Sequence, residues 1–366
     1  MKRLAAALFC FLFITISAPV AQASNTITLT EPTSHQIDGK FIDDGLVTSL
    51  SVTGRLGKLV FSPPRGLRTW VVDPALIEEI VAISKNFMMT NGAIGSGQIF
   101  AQTWLTQFQN ISSGDTIQAM AYGNPSQYWI NRFSPHDTNY ILSVSQTMLE
   151  TLLNHPVLPS TSYRNQSHFW LPASEINSIS IAANNFNDIS AYMDPKKIDV
   201  FRLGLVRLLN PGLIATRRSY LIKDLSNTAD GQLHLIHLSS GKFTVTSVHQ
   251  SIPITLTNDF PNPAKINLSV FPTNAKIEVS APSQEIIPAN SKIQILIPVT
   301  VLTSGSSGIA VEITTPTGKI LGDPVIFPIK LTVISPVATW ITTGAAILVF
   351  FAATIQSVRR IRKRRA

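Results

Sequence analysis

Cysteine is almost absent from this chain of 366 residues, whose single example is Cys10. Cys10 lies in an N-terminal stretch with a basic start, an apolar run from Leu4 to Ile16 and an Ala-x-Ala pattern ending at Ala23. These features are typical of a secretory signal peptide, so we expect residues 1–23 to be removed. The mature chain would then lack cysteine, which excludes disulfides, thiolate metal sites and catalytic thiols.

Charged residues are also scarce, at 14% of the chain against about 25% in an average soluble domain. The net charge of +8 is unevenly placed, because two of the positive charges precede Leu4 and six lie within residues 359–366. The rest of the chain is neutral overall. Nucleic-acid binding needs basic residues clustered on the folded part, so we expect no nucleic-acid partner.

Beyond the N-terminal stretch, a long apolar run occurs only near the C-terminus, where residues 336–358 carry no charge. About 20 apolar residues suffice to cross a bilayer as a helix. Trp340 lies where an interfacial aromatic residue is expected, and the basic residues 359–366 should remain in the cytoplasm. A buried core helix is the alternative, but six cations at one end disfavour it. The sequence therefore predicts a single-pass type I protein of the cell membrane, with a short basic cytoplasmic tail and the lipid bilayer as a partner.

Residues 24–235 alternate between short apolar stretches and helical patterns. Strands are predicted at 68–72, 116–121, 166–171 and 188–193. Strands that alternate with helices indicate βα units and a mainly parallel sheet. Four units are half of a (β/α)₈ barrel, so the fold class predicted for this exported domain is α/β, as a partial (β/α)-barrel-like or open βα domain.

Residues 243–334 change to a period of two. The clearest example is a run that keeps one apolar face for five positions, formed by Ile293, Ile295, Ile297, Val299 and Val301. Several such strands separated by turn residues predict an all-β, immunoglobulin-like β-sandwich next to the membrane helix. Pro298 and Pro328 are expected on edge strands or bulges, because proline cannot donate a ladder hydrogen bond.

Several short motifs occur in a characteristic order. They are Gly54-Arg55-Leu56, the junction from Val71 to Leu76, the turn from Ala121 to Pro125, Trp170-Leu171-Pro172, the strand from Ser251 to Asp259, and Thr314 to Gly318. Together with the single span and the Arg-rich tail, they resemble an uncharacterised family of exported envelope proteins of high-GC Gram-positive bacteria. The resemblance implies a shortened member, without an N-terminal β-domain and part of the middle domain. Members are often encoded beside the flippase for the peptidoglycan lipid precursor, which implies a role in cell-wall assembly.

Polar and aromatic residues gather at the ends of the predicted strands. The candidate ligand-binding residues are Asp73, Tyr122, Asn124, Trp170 and Asp194. The carboxyl ends of parallel strands face one side of the fold, where sites are built. Two carboxylates, an amide and two aromatic rings would suit a sugar-like ligand. The alternative is structural, because Asp-Pro is also what an N-cap followed by proline at the first helical position looks like.

No residue pattern in the sequence predicts catalysis, a metal site or a cofactor. Asp43-Asp44 resembles the metal-binding aspartates of polysaccharide deacetylases, but the histidine pair that completes that site is missing. His234 and His237 are three apart in a segment predicted to be extended, so they would point to opposite faces. The preferred hypothesis is a non-catalytic envelope protein that binds a wall glycan or an envelope-assembly membrane protein. The rival is a glycoside hydrolase-like, carbohydrate-active enzyme using Asp73 and Asp194 as its carboxylate pair.

Overall fold

The structure is a computed structural model that describes residues 25–166, 168–280, 284–332 and 336–364. The predicted signal peptide lies outside the described residues. The chain is a mixture of helix and sheet, followed by one long apolar helix near its C-terminus.

Residues 25–233, which we call the first part of the chain, contain a three-stranded parallel sheet. Its strands are β1 (Asn25–Leu29), β2 (Arg68–Val72) and β3 (Thr116–Ala119), in the order β1-β2-β3. The central strand β2 places Trp70, Val71 and Val72 in the core, as its Val-rich sequence predicts. The predicted strands at 68–72 and 116–121 are thus confirmed, whereas β1 is not among the predicted strands.

The predictions of strands at 166–171 and 188–193 are wrong. Residues 188–192 form the end of helix α7 (Ala173–Ile189) and a short 3₁₀ helix, Ser190–Tyr192, which Met193 follows. Ile189 and Tyr192 are both buried, and a spacing of three is helical rather than extended. Where the structure describes residues 166–171, they form no strand and lie beside helix α5 (Gln127–Phe133), because Trp129 Nε1 donates to Phe169 O at 3.0 Å.

Helices fill the remainder of this part. They are α1 (Gly45–Leu50), α2 (Arg55–Phe61), α3 (Pro74–Ile83), α4 (Gln98–Ser112), α5 (Gln127–Phe133), α6 (Thr138–Leu153), α7 (Ala173–Ile189), α8 (Pro195–Leu208) and α9 (Ala215–Leu233). Helix α3 packs against α4 and α6, while α9 packs against α7 and α8. One buried cluster surrounds Trp70, Trp104 and Phe108 beside the parallel sheet. A second cluster runs from α7–α9 into the β-strands that follow.

In the described residues from 236 to 331, nine further strands form two sheets, which we call the β region. They are β4 (Ile236–Leu238), β5 (Phe243–Val245), β6 (His249–Asn258), β7 (Ala264–Pro272), β8 (Ile277–Val279), β9 (Glu285–Ile287), β10 (Ser291–Val301), β11 (Gly305–Thr314) and β12 (Ile320–Leu331). Their orders are β4-β6-β10-β8 and β5-β12-β11-β7-β9. The predicted alternation holds in β10, where Ile295, Ile297 and Val299 are buried between exposed residues. The region begins before residue 243, since β4 already pairs with β6.

The prediction of edge strands for Pro298 and Pro328 is wrong, because β10 and β12 are interior strands of their sheets. Each proline nevertheless lies just outside the ladder to one of its two neighbouring strands. Pro298 pairs with Ser251 of β6, one residue before β10 also pairs with β8. Pro328 pairs with Gly308 of β11, one residue before β12 also pairs with β5. A residue without an amide N–H is therefore accommodated at the two positions.

Helix α10 (Pro336–Arg364) is the last element. Its segment Trp340–Ser357 is long and apolar enough to cross a membrane, and none of that segment is buried against the rest of the chain. The helix extends beyond the predicted span at 336–358 into the predicted basic tail.

Candidate functional site

Asp73 joins the ends of all three parallel strands. Its Oδ1 accepts hydrogen bonds from Ala75 N at 3.0 Å and from Gly123 N at 2.8 Å, and its Oδ2 accepts one from Thr30 Oγ1 at 3.1 Å. Thr30 follows β1, Asp73 follows β2 and Gly123 lies beyond β3. The predicted convergence at the carboxyl edge of the sheet is therefore present, and so is the predicted N-cap, since Asp73 caps α3. Its side chain is 0% exposed.

Tyr122 and Asn124 form the turn beside Asp73. The buried Tyr122 hydroxyl donates to Glu78 Oε2 at 2.5 Å, and its backbone N–H donates to Ser145 Oγ at 2.9 Å. Asn124 is half-buried in the left-handed region, with φ 45°. Asparagine tolerates this conformation better than most residues. The structure thus brings three of the five predicted site residues together, in a turn that is closed over the sheet.

Arg207 of α8 covers this edge of the sheet and is only 5% exposed. Gly123 has φ +72°, and a Cβ atom there would lie 3.3 Å from Arg207 Cα. Arg207 Nη1 donates to His35 Nδ1 at 3.1 Å. Its buried Nε has no hydrogen-bond partner among the described residues. The close approach of helix and turn therefore depends on the glycine.

Glu79 is the second buried carboxylate at this edge. Its Oε1 accepts from Thr33 Oγ1 at 2.9 Å and from Ser34 N at 2.8 Å, and the residue is 1% exposed. We call Asp73, Glu79, Tyr122, Arg207 and His35 the strand-end cluster.

Burial dominates the electrostatics of the strand-end cluster. It raises the pKa of Asp73 to about 7, against the opposing hydrogen bonds from Gly123 and Ala75. It raises the pKa of Glu79 to about 7 as well, against the attraction of Arg207. Burial, assisted by the Arg207 charge, lowers the pKa of His35 to about 4. Asp73 and Glu79 therefore change protonation state near neutral pH, although both side chains are shielded from solvent.

Trp170 and Asp194 lie apart from the strand-end cluster. Asp194 is the N-cap of α8, where its Oδ1 accepts from Lys196 N at 2.8 Å. Trp170 is 77% exposed. Within the described part of the chain, neither side chain forms a hydrogen bond or ring contact with the cluster. The predicted five-residue site is thus divided between three places, and its proposed ligand binding stays a prediction.

A cleft of about 320 Å³ lies between α7, α8 and α9, beside the residue that precedes Asp194. Its walls include Phe186, Met193, Val200 and Phe201, with Lys196 and Lys197 also on the lining. We call it the α8 cleft. Sequence reasoning missed it, because its walls come from three helices whose apolar residues have an ordinary core spacing. The paired lysines directly after Asp194-Pro195 were the available signal.

The residues that resemble metal ligands in the sequence have other positions and contacts in the structure. Asp43 forms a two-point ion pair with Arg217, whose Nε and Nη2 lie 3.0 Å from its two carboxylate oxygens. His234 follows the last residue of α9 rather than lying in an extended segment, which corrects that prediction, and His237 lies in β4. The described residues contain no group of three or more His, Cys, Asp or Glu that could hold a metal ion.

The described residues thus form a mixture of helices and sheets with one helix that is a candidate membrane span. Residues 144–365 match the model of a family of unknown function, DUF6049, and the chain belongs to that family. The match includes Arg207 but starts after Asp73, Glu79 and Tyr122, so the strand-end cluster combines residues from inside and outside it.

No curated protein matches the chain. Among solved structures, α-2-macroglobulin of Escherichia coli is 18% identical over 26% of this chain and 6% of its own, with a TM-score of 0.22. WR4, an MSP family member of C. elegans, is 10% identical over 26% of this chain and 97% of its own, with a TM-score of 0.22. The E. coli chaperone DraB is 13% identical over 26% and 53%, with a TM-score of 0.20. Structural similarity with TM-scores this low establishes neither the fold nor the function of the chain.

Proposed function

We propose that this chain is a non-catalytic, membrane-anchored envelope protein whose exported part binds a component of cell-wall assembly. The closed strand edge carries this proposal. In open α/β sheets the carboxyl edge is where ligands bind, but here Asp73, Glu79 and Arg207 fill that edge and are at most 5% exposed. The chain's own side chains occupy the position that a substrate would take.

The rival enzyme needs two accessible carboxylates on either side of a glycosidic bond. Asp73 is buried, and both its oxygens accept hydrogen bonds from the chain itself. Asp194 is committed to the first turn of α8. These contacts disfavour the use of Asp73 and Asp194 as a catalytic pair.

The single helix α10 supports the membrane anchor in this proposal. Its apolar segment Trp340–Ser357 is unburied, and a surface of that kind is unfavourable in water. In this proposal the basic residues that follow remain in the cytoplasm, and residues 24–332 would lie outside the cell membrane, as in a type I protein. The β region would then be a membrane-proximal stalk, for which an immunoglobulin-like sandwich is our proposed architecture. The first part would be a partial βα barrel held away from the bilayer.

The link to the cell wall rests on the resemblance to exported proteins of high-GC Gram-positive bacteria, whose genes often lie beside the lipid-precursor flippase. An exposed aromatic surface is available for a wall glycan or an envelope-assembly membrane protein. Trp170 is exposed, and so are Tyr128 and His168, whose rings lie 4.4 Å apart. Aromatic side chains of this kind are enriched where proteins bind partners.

Cross-linking in intact cells, followed by mass spectrometry, tests the proposal. The full chain should enrich envelope-assembly proteins or wall glycan fragments, and Trp170→Ala should reduce that enrichment. Ile326→Ala is a matched control, because Ile326 is an exposed apolar residue in the β region. Finding no envelope-assembly protein or wall glycan enriched over an unrelated single-span protein would contradict the cell-wall role.

A further inference from the structure

The α8 cleft has an apolar wall whose geometry is fixed by packing. The rings of Phe186 and Phe201 stack with centroids 3.8 Å apart and an interplanar angle of 3°. A hydrogen bond from the β region fixes the position of Met193, because Asn262 Nδ2 donates to its backbone oxygen at 2.9 Å. Val200 is 46% exposed, although it lines the cleft with the buried Phe201. The cleft is therefore a formed apolar recess that is open to solvent.

The volume limits the size of an occupant. About 320 Å³ lies at the lower end of the roughly 300–1,000 Å³ typical of small-molecule sites. It has room for about ten groups the size of a water molecule. A short acyl chain or a single ring system fits, whereas a folded peptide segment does not.

The lining charges favour an anion. Lys196 and Lys197 are both exposed, and neither forms an ion pair in the described part of the chain. The acidic residue on the lining, Asp38, is already paired with Lys40 at 2.6 Å. Asp194, next to Lys196 in the chain, has its Oδ1 bonded to the first turn of α8. The cleft therefore combines an apolar wall with two lysines that form no ion pair among the residues that the structure describes.

A buried acceptor completes the set. The Oε1 atom of Gln232 is buried without a hydrogen-bond partner, and Gln232 lines the cleft. Leaving a buried polar atom unsatisfied is unfavourable. Because this oxygen is itself buried, an N–H or O–H group of a ligand would satisfy it once the Gln232 side chain turns towards the cleft.

We propose that the α8 cleft binds an amphiphile with one anionic head group, a short apolar body and a hydrogen-bond donor between them. The apolar body packs on Phe186, Met193 and Val200, the head group lies beside Lys196 and Lys197, and the donor reaches Gln232 Oε1. This binding site does not depend on the proposed cell-wall role.

Photo-labelling of the full chain in nanodiscs of neutral lipid tests the site. The probe is a short N-acylglycine with a diazirine in its acyl chain, which offers an anion, an amide N–H and an apolar body. Its neutral match is the corresponding N-acylglycinamide. Mass spectrometry of the labelled peptides locates the probe independently of how much of it enters the lipid. We expect the acid to label the segment from Met193 to Phe201 several-fold more than the amide does.

Variants separate the contributions of charge, shape and hydrogen bonding. Lys196→Ala with Lys197→Ala should lower labelling by the acid several-fold, while Lys292→Ala, an exposed lysine of the β region, should leave it unchanged. Val200→Trp should block the cleft. Gln232→Leu should weaken labelling without lowering thermal stability, because it removes an unsatisfied oxygen. Equal labelling by acid and amide, labelling that survives loss of both lysines, or no labelling of α8 would each overturn the proposal.

Discussion

Gly123 donates its backbone N–H to Asp73 Oδ1 over 2.8 Å, which ties the turn beyond β3 to the end of β2. The same carboxylate caps α3 and accepts from Thr30. One side chain thus fixes the position of three strand ends, where a βα fold would otherwise have an open site.

Replacing Asp73 should separate its hydrogen-bonding role from its charge. Asp73→Ala removes an N-cap, worth about 0.5–2 kcal/mol, and leaves Gly123 N without its acceptor, which costs about 1–3 kcal/mol more. Asp73→Asn keeps an acceptor for both N–H groups and should lose far less stability. Urea unfolding followed by tryptophan fluorescence measures both variants. Equal destabilisation by alanine and asparagine would show that hydrogen bonding at Asp73 is not what matters.

The raised carboxyl pKa values predict a stability that falls as pH rises towards neutrality. Asp73 and Glu79 have folded-state pKa values of about 7, above their ordinary values near 4. Between these values the unfolded chain has lost protons that the folded chain keeps, so stability decreases as pH increases from about 4 to about 7. His35, whose folded pKa is about 4, acts in the opposite direction between about 6.5 and 4.

The measurement is the urea midpoint at a series of pH values from 5 to about 7.5, bracketing the pKa values near 7. Asp73→Asn and Glu79→Gln should each flatten the decrease, because each removes one titrating group while keeping an acceptor oxygen. His35→Asn should steepen it, since the opposing group is lost. If all three variants follow the pH dependence of the parent chain, the strand-end cluster does not titrate as described.

Two glycine substitutions should have opposite effects. Gly123→Ala places a Cβ in the left-handed region, at a cost of about 1–2 kcal/mol, and brings it within 3.3 Å of Arg207. Gly231→Ala lies in α9, where nothing is within 4 Å of the new Cβ. It should stabilise by roughly 0.5–1 kcal/mol because alanine is the better helix former. Thermal unfolding of both variants gives the signs, and a neutral Gly123→Ala would contradict the close approach of turn and helix.

Arg207→Met should destabilise the first part of the chain, with little local effect on the β region. Met would remove the positive charge that stabilises the buried Glu79 carboxylate and the hydrogen bond to His35, and leaving a buried polar group without its partner costs about 1–3 kcal/mol. Hydrogen exchange should therefore increase in β2 and β3 more than in β10 and β11. A uniform increase across both parts would mean that Arg207 does not act locally. Arg202→Met is the control, because Arg202 is a more exposed arginine of the same helix.

The sequence was sufficient for features that depend on local pattern. The apolar strand around Trp70 and the alternation in β10 both predict their burial correctly. The uncharged run at 336–358 correctly predicts a long apolar helix, α10. The segment 188–193 is mispredicted because Ile189, Ala191 and Met193 alternate with other residues as they would in a strand. The helical spacing of Ile189 and Tyr192 is visible only once the long helix before them is known.

The site was predictable only in part, for a physical reason. Asp73 and Tyr122 follow strands, and parallel strands end at the same edge, so their proximity follows from the fold class. Arg207 lies far along the chain, in a helix where a cation normally faces solvent. Its burial depends on how α8 docks against Gly123. The α8 cleft likewise depends on tertiary packing and has no local sequence pattern.

The central claim is that α10 crosses a membrane and leaves the rest of the described chain outside the cell. Because Cys10 is the only cysteine, Cys10→Ser provides a background for single-cysteine variants. Ser113→Cys, at an exposed position after α4, and Arg360→Cys, beyond the apolar segment, would be treated with a membrane-impermeant maleimide in intact cells. We predict labelling of Ser113→Cys in intact cells and of Arg360→Cys only after permeabilisation. Labelling of Arg360→Cys in intact cells, or protection of Ser113→Cys, would contradict the account.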